Sequence, residues 1–533
     1  MITKGLTNVS AIYQAFLENT CDATDLFYFQ DLVITKAAFA QRVTFFTKHL
    51  IHLGVVCGAT VGYTLPNSPD AYALFVAIAQ LGACAMPLFH MIPDGVKAGI
   101  FTHSPAKLVI TTATLFDGLQ QHAAQMSASF QIVTIDKNSA GAYSFDAADV
   151  SRVSLANRIV GEDAAELPLM LASSSGTTGV PKMVVMTQGN IAAELYVSVE
   201  FTLPVPTDNN RIAMAFPMST PGISVCLGTL LAGAAHIFTS DVSPIRFVDA
   251  VSRHRPFAMA CPPAYFEAIL SLPSIPRSAL ESVTRIYTGM DFLCPNLVAR
   301  LKNRFENLEG FANGYGLIET SNVFMICKSL DKDTLLTAPT SRMAVAGNAN
   351  EIKVLDEHGQ SAAKGAKGEL YVKGANVVSG YINNPGESEM AFKEGWFRTG
   401  DIVQYESKGT VTLLGRKKYL IKRGGKSVSP IVVQNTINEL PEVASSAVVG
   451  VPHPLYGEMV WAFVVKMANA TVAFKDIMKH CRNALVNYMV PDQIVFIDTL
   501  PKKSGVGKVD YDNLKELANI ELQRIGVRNA KGN

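Results

Sequence analysis

The stretch SSSGTTGVPK, Ser173 to Lys182, follows LPLMLA, Leu167 to Ala172, an apolar run that reads as a buried strand. Its ten residues hold five hydroxyls, two glycines, a proline and a lysine. Glycine turns expose backbone amides, and these amides with the Ser and Thr hydroxyls can donate several hydrogen bonds to phosphate oxygens. A slack linker has the same richness in Gly and Ser. The stretch is not a Walker A sequence, because no GK[ST] follows the required four-residue gap. Only the rest of the chain decides between the two readings.

With 533 residues the chain has length for two or more domains with substantial cores. Its formal charge of +1, from 46 Lys plus Arg against 45 Asp plus Glu, excludes a nucleic-acid binder whose affinity comes from a large basic excess. The eight cysteines are scattered singly without a CxxC pair, as expected in a reducing compartment. MITKGLTNVSAIYQAFLENT at the start lacks the features of a secretory signal, so a cytoplasmic protein is expected. AYALFVAIAQLGACAMPL, Ala71 to Leu88, is interrupted by Gln80, Gly82 and Pro87 and reads as a buried helix followed by a strand, not a transmembrane segment. Slightly high hydrophobicity leaves peripheral contact with lipid open.

Short β-branched runs at 108–113, 132–136, 211–217 and 236–240 alternate with helix-like segments, the pattern of α/β layers with mostly parallel sheets. Pro244 to Arg255 reads as an amphipathic helix burying Ile245, Val248 and Val251. From about Asn350 short strands and tight turns take over, and beyond Gly415 strands at SSAVVGVPH and WAFVVKM with two helices suggest a small α+β domain. The expected fold is therefore α/β: a large N-terminal domain of two α/β subdomains plus a β-rich subdomain, residues 1–415, and a small mobile α+β C-terminal domain, residues 416–533.

Five stretches in order resemble the signatures of the adenylate-forming enzymes, the superfamily of acyl- and aryl-CoA synthetases, peptide-synthetase adenylation domains and firefly luciferase. SSSGTTGVPK resembles its phosphate-binding loop, which implies nucleotide contacts from Ser173, Ser174, Ser175, Gly176, Thr177, Thr178, Gly179 and Lys182. NGYGLIE, Asn313 to Glu319, resembles the motif whose tyrosine packs on adenine and whose glutamate holds magnesium, which implies Asn313, Gly314, Tyr315 and Gly316 at the nucleotide and Glu319 at the metal. GWFRTGD resembles the segment whose aspartate, here Asp401, binds the ribose hydroxyls. GRKKYLIKRGGKSVSP resembles the interdomain hinge, with Arg416 contacting ribose and phosphate, Lys418 as pivot and Gly424 and Gly425 among the cofactor-binding positions. LPKKSGVGKVD resembles the loop that delivers the catalytic lysine, Lys508. IYTGMDFL resembles the segment flanking adenine, which adds Thr288, Gly289 and Met290.

The resemblance implies that ATP, Mg2+ and CoA serve the activation of a carboxylic acid to acyl-AMP, with release of pyrophosphate and transfer to a thiol. Glu319, Arg416 and Lys508 would carry the chemistry, which needs cations because two anions must approach. A free-standing activator loading an acyl carrier protein in trans, and a non-catalytic nucleotide- or acyl-binding relative, are the competing classes. Departures from the family pattern are Ile318 for threonine, Gln188 for histidine, Met183 for glycine, Tyr419 for aspartate, Val432 in a segment that lacks the usual acidic pair, and Met290 and Asp291 for Gly and Ala. Ala215 to Phe238, where Met218 to Ile223 supplies small and apolar groups, with Cys261 to Tyr265, Met290 and the residues after Glu319, suggests an apolar acyl pocket suited to an aliphatic or simple aryl acid.

Overall fold

The structure, a computed structural model, describes residues 5–136, 143–161, 163–174, 182–202, 204–241, 243–291, 293, 295–329, 341–346, 350–382, 384–502 and 509–530. Strands among them pair into sheets of seven, fourteen and five. In the first sheet Gln131–Thr134, Leu108–Thr111, Thr60–Tyr63, Cys84–Pro87 and Pro168–Ser174 run parallel, and Lys182–Thr187 with Tyr381–Ile382 closes one edge antiparallel. Cys84–Pro87 and Leu108–Thr111 are buried throughout, because crossover helices cover both faces of a parallel sheet.

The second sheet is parallel through Ala235–Phe238, Arg211–Met214, Ala258–Ala260, Arg285–Gly289 and Gly310–Leu317. There the chain reverses into Asn322–Ser329, and the sheet continues antiparallel out to Lys367–Gly374 and Asn350–Leu355. The β-rich region is thus continuous with the second α/β sheet, joined where four residues turn Gly310–Leu317 back on itself.

Every residue of the Pro69–Gln80 helix except Asp70 is buried. Tyr72 stacks on Phe27 and Phe238 of the second sheet, at 5.9 and 5.4 Å between ring centroids, and the same core holds Val61 and Tyr63 of the first. A helix between two sheets must be apolar on all sides, which accounts for its membrane-like composition. Among the described residues no helix is long and apolar enough to cross a membrane.

The amphipathic helix spans Pro244–His254, with Phe247, Val248 and Val251 buried and Ile245 66% exposed. The expected face is shifted, because at 100° per residue Ile245 falls outside the sector that Phe247 and Val251 centre.

The small C-terminal domain is built on Val443–His453 and Gly457–Lys466, flanked by the hairpin Ile421–Arg423 with Lys426–Val428 and by Gln493–Phe496. Alternation along Val443–His453 sends Val448 into one core with Ile477, and Ala447 and Val449 into another with Leu514, so helices cover both faces.

Candidate functional site

The candidate residues gather where Gly310–Leu317, Trp396–Ser407 and Thr410–Arg416 meet. Asp401 and Arg416 are cross-strand partners, and Arg416 Nε lies 3.0 Å from Asp401 Oδ1. The Asp401 side chain is 8% exposed and that of Arg416 39%, so the carboxylate is anchored while the guanidinium keeps a solvent-facing edge. Arg416 also donates to the Thr399 carbonyl at 2.9 Å, the Thr399 hydroxyl accepts from the Asp401 amide at 3.0 Å, and the Tyr315 hydroxyl donates to Asp401 Oδ2. Burial raises the Asp401 pKa against the opposing pull of Arg416. Burial, followed by the Asp401 charge, holds the Tyr315 phenol well above its ordinary value.

Glu319 sits in the short turn Ile318–Thr320, accepts from the Tyr381 hydroxyl at 2.8 Å, and acts through space on both Asp401 and Arg416. Tyr381 is carried by the edge strand paired with Lys182–Thr187, and burial, then Glu319, raises its phenol. Lys182, expected at the margin of a phosphate loop, lies 2.7 Å from Glu387 and 4.9 Å from the centre of the Tyr381 ring. Tyr381 therefore bridges the metal-binding candidate and the strand leaving the phosphate loop. It carries no spacing signal, and only the edge pairing brings it here.

Thr288 and Gly289 end the neighbouring strand Arg285–Gly289, in register with Asn313 and Gly314, and Met290 follows it directly. A Cβ on Gly289 would meet the Gly314 carbonyl oxygen at 2.9 Å, one on Gly314 would meet Val323 at 3.0 Å, and one on Gly316 would collide with the Asn322 carbonyl oxygen. The Thr288 hydroxyl is buried with no hydrogen-bond partner among the described residues. A glycine cradle, an unpartnered hydroxyl and the Asp401–Arg416 pair fit an adenine nucleotide. Among the described residues no three His, Cys, Asp or Glu side chains group to hold a metal. A lone Glu319 carboxylate suits magnesium, which keeps most of its shell as phosphate and water oxygens.

Ser175, Gly176, Thr177, Thr178, Gly179 and Lys508 lie outside the described residues, and Ser173 and Ser174 end the strand leading to the loop. The segment bearing Lys508 is closed at its base by a Lys502–Val509 bridge. Its ends face the large domain: Lys502 acts on Glu267, and Asp291 on Tyr511. Lys418 is exposed in the turn Lys417–Tyr419, directly after Arg416, with Nζ 4.6 Å from the Tyr419 ring centre. Gly424 and Gly425, at φ +55° and +76°, are the two central residues of a tight hairpin turn, which by itself requires glycine there.

Gln188 stands apart from this cluster. It is fully buried, donates to the Ala79 carbonyl at 2.8 Å and accepts from the Val9 amide at 3.0 Å, tying three helices together. Of the expected acyl pocket, Met218, Ile223 and Cys261 are packed into the cores and Met290 is half-buried. Asn67, unmarked in the sequence, accepts from the Met218 amide and donates to the Phe216 carbonyl, both at 3.0 Å, which clamps that segment to the first sheet.

The AMP-binding enzyme family model matches residues 13–382, and that of the AMP-binding enzyme C-terminal domain matches 433–508. The chain belongs to the AMP-binding enzyme family. It is 26% identical to the indoleacetate–CoA ligase of Aromatoleum aromaticum, over 92% of this chain and 94% of the relative. To the medium/long-chain-fatty-acid–CoA ligase FadD8 of Mycobacterium tuberculosis it is 28% identical, over 90% and 85%. The crystal structure of ATP-bound MatB from Rhodopseudomonas palustris superposes with a TM-score of 0.80 at 23% identity, covering 96% of this chain and 99% of that one.

Proposed function

We propose that the chain is an acid–thiol ligase that uses ATP to convert a carboxylic acid to its acyl-AMP, releasing pyrophosphate, and then passes the acyl group to the thiol of CoA. The observation that carries this reading is the Tyr315–Asp401–Arg416 cluster set beside Glu319, in a chain matched by the AMP-binding enzyme models in both domains. The CoA-ligase relatives and the ATP-bound structural neighbour supply the co-substrates of the proposal.

Asp401 would accept from the ribose hydroxyls, with Arg416 and Tyr315 fixing the carboxylate and Thr399 holding the Asp401 backbone amide. Arg416, held protonated by Asp401 although burial opposes its charge, would place its exposed edge against ribose and phosphate. Magnesium held at Glu319 would offset the negative charge on the phosphate oxygens. Lys508 would neutralise the approach of the substrate carboxylate to the α-phosphate, as a compact charge on a flexible stem. No protein nucleophile is needed, so positioning and electrostatics are the enzyme's contribution.

In the same reading the large domain ends at Gly415 and the small domain, from Arg416, turns about Lys418 between the two half-reactions. The substrate would be an acid with an apolar body, in keeping with indoleacetate and fatty-acid ligases among the relatives.

Hydroxamate trapping and pyrophosphate exchange over short, medium and long fatty acids, aryl acids and amino acids, followed by CoA-thioester assay, test the proposal. An apolar acid should give both products. Adenylate without thioester on CoA would redirect the reading to a carrier-protein acceptor, and no exchange with any acid would reject it.

A further inference from the structure

The chemistry above makes no use of Tyr381, although its hydroxyl donates to Glu319 Oε1 at 2.8 Å across 62 residues of chain. The tyrosine is held on several sides. It pairs with Val184 of the strand Lys182–Thr187, and its amide donates at 2.9 Å to Ser388 Oγ on the helix Pro385–Ala391. Its ring meets Phe392 edge-on, at 5.5 Å between centroids and 69° between planes. Lys182 Nζ lies 4.9 Å from the centre of the same ring and pairs with Glu387 of that helix at 2.7 Å. A half-buried ring packed in this way has little freedom to swing its hydroxyl away from Glu319.

The backbone of Glu319 is fixed independently. Its carbonyl accepts at 3.0 Å from the amide of Val378, three residues before Tyr381. The Thr320 hydroxyl closes the turn, accepting from the Leu317 amide at 3.0 Å. The Asn190 side-chain amide ties the segment before Val378 to the helix Gln188–Phe201, donating to the Ala375 and Val377 carbonyls at 2.8 and 3.3 Å. These bonds fix where the Glu319 side chain begins and leave its own rotatable bonds open. Among the described residues, the bond from Tyr381 is the one hydrogen bond that reaches the carboxylate.

Magnesium demands near-ideal octahedral geometry, and carboxylates that bind metals are themselves held by outer hydrogen bonds. An ionised carboxylate has about four acceptor sites, so one bond from Tyr381 orients it and leaves the others for an ion.

We infer that Tyr381 is a positioning residue for Glu319, its hydroxyl orienting the carboxylate for magnesium from the edge strand that flanks Lys182. This rests on the reading of Glu319 as the magnesium carboxylate.

The test compares full-length wild type, Tyr381→Phe, Glu319→Gln and the double variant. Tyr381→Phe removes one oxygen at a half-buried position and keeps the ring against Phe392 and Lys182, so the packing is retained. Hydroxamate formation is followed against Mg2+ concentration with an acid active in the panel, and ATP is titrated calorimetrically with and without Mg2+. Tyr381→Phe should raise the Mg2+ needed for half-maximal rate about tenfold, as loss of an outer support to a metal ligand does. It should remove a matching part of the Mg2+-dependent gain in ATP affinity and leave Mg2+-free ATP binding at the wild-type value. In the Glu319→Gln background the same change should add nothing to that gain. Unaltered Mg2+ dependence in Tyr381→Phe, beside a Glu319→Gln that has lost it, overturns the inference. So does an equal loss of ATP affinity with and without Mg2+, which would make Tyr381 a support of the fold alone. A Glu319→Gln that keeps wild-type Mg2+ dependence overturns the reading beneath it instead.

Discussion

Met290 stands at φ +72°, a region that costs an L-residue about 1–2 kcal/mol and glycine almost nothing. The family pattern commonly has glycine there, so this chain keeps the backbone and replaces the residue that suits it. Met290→Gly should be more stable than Met290→Ala by about 1 kcal/mol in urea denaturation, reversing the usual order of the two residues. An alanine variant at least as stable would mean that the strand end relaxes out of the left-handed region. The Tyr315 hydroxyl bonds to a buried carboxylate, and such bonds are worth about 1.5–3 kcal/mol. Tyr315→Phe should accordingly weaken ATP binding about tenfold in calorimetry, with KM for the acid nearly unchanged. Sequence marked Tyr315, Asp401 and Arg416 as functional. Their mutual pairing came from a strand register that no local pattern encodes.

At the scale of elements, the Gln188–Phe201 helix shows how a departure from a family motif can be structural. Thr187 caps it, accepting from the Asn190 amide at 3.1 Å, while the Asn190 side chain returns to the Thr187 amide at 3.0 Å. Gln188 then spends both ends of its side chain on neighbouring helices. Gln188→Ala strands a buried carbonyl and a buried amide, each costing about 1–3 kcal/mol, so the thermal midpoint should fall clearly while kcat stays at the wild-type value. A fall in kcat without loss of stability would place Gln188 in the reaction instead. Alternating strands and helices, the buried Pro69–Gln80 helix and the C-terminal strand pair were all legible as elements. Ile245 was assigned to the wrong face because i, i+3 spacing over one short helix leaves the centre of the stripe loosely fixed.

For the whole molecule, Glu194 ties stability to pH, because full burial raises its carboxyl. Its folded pKa of about 8 exceeds the ordinary 4.5, so below 4.5 both states hold the proton and folding gains nothing from pH. Between 4.5 and about 8 the unfolded chain gives up a proton that the folded chain keeps, and stability falls as pH rises. The slope approaches about 1.4 kcal/mol per pH unit. Glu194→Gln should lack it, so its urea midpoint relative to wild type should climb from pH 5 to 8; parallel curves would refute the shift. The two domains touch at Asn296, whose side-chain amide donates to the Leu440 and Val443 carbonyls at 3.4 and 2.8 Å. If the small domain turns between half-reactions, these bonds belong to one arrangement, and Asn296→Ala should slow one half-reaction more than the other in separate adenylation and thioester assays. Equal effects on both would count against the rotation.

The sequence by itself determined the α/β class, the order of the motifs and most of the residues singled out for chemistry, because apolar periodicity and short motifs are local properties of a chain. Only the tertiary structure decided that the β-rich region extends the second sheet, that Tyr381 closes on Glu319, and that Gln188 serves the fold. It alone set the Asn322 side chain against Ser224, 98 residues away in sequence. Buried hydrogen bonds between distant segments must be satisfied wherever packing brings them, and packing is set by the whole core and not by any one stretch. In SSSGTTGVPK itself the two sources meet: its composition left linker and phosphate loop open until the other motifs were read beside it, and the described strands place its Lys182 end beside Tyr381 and Glu387.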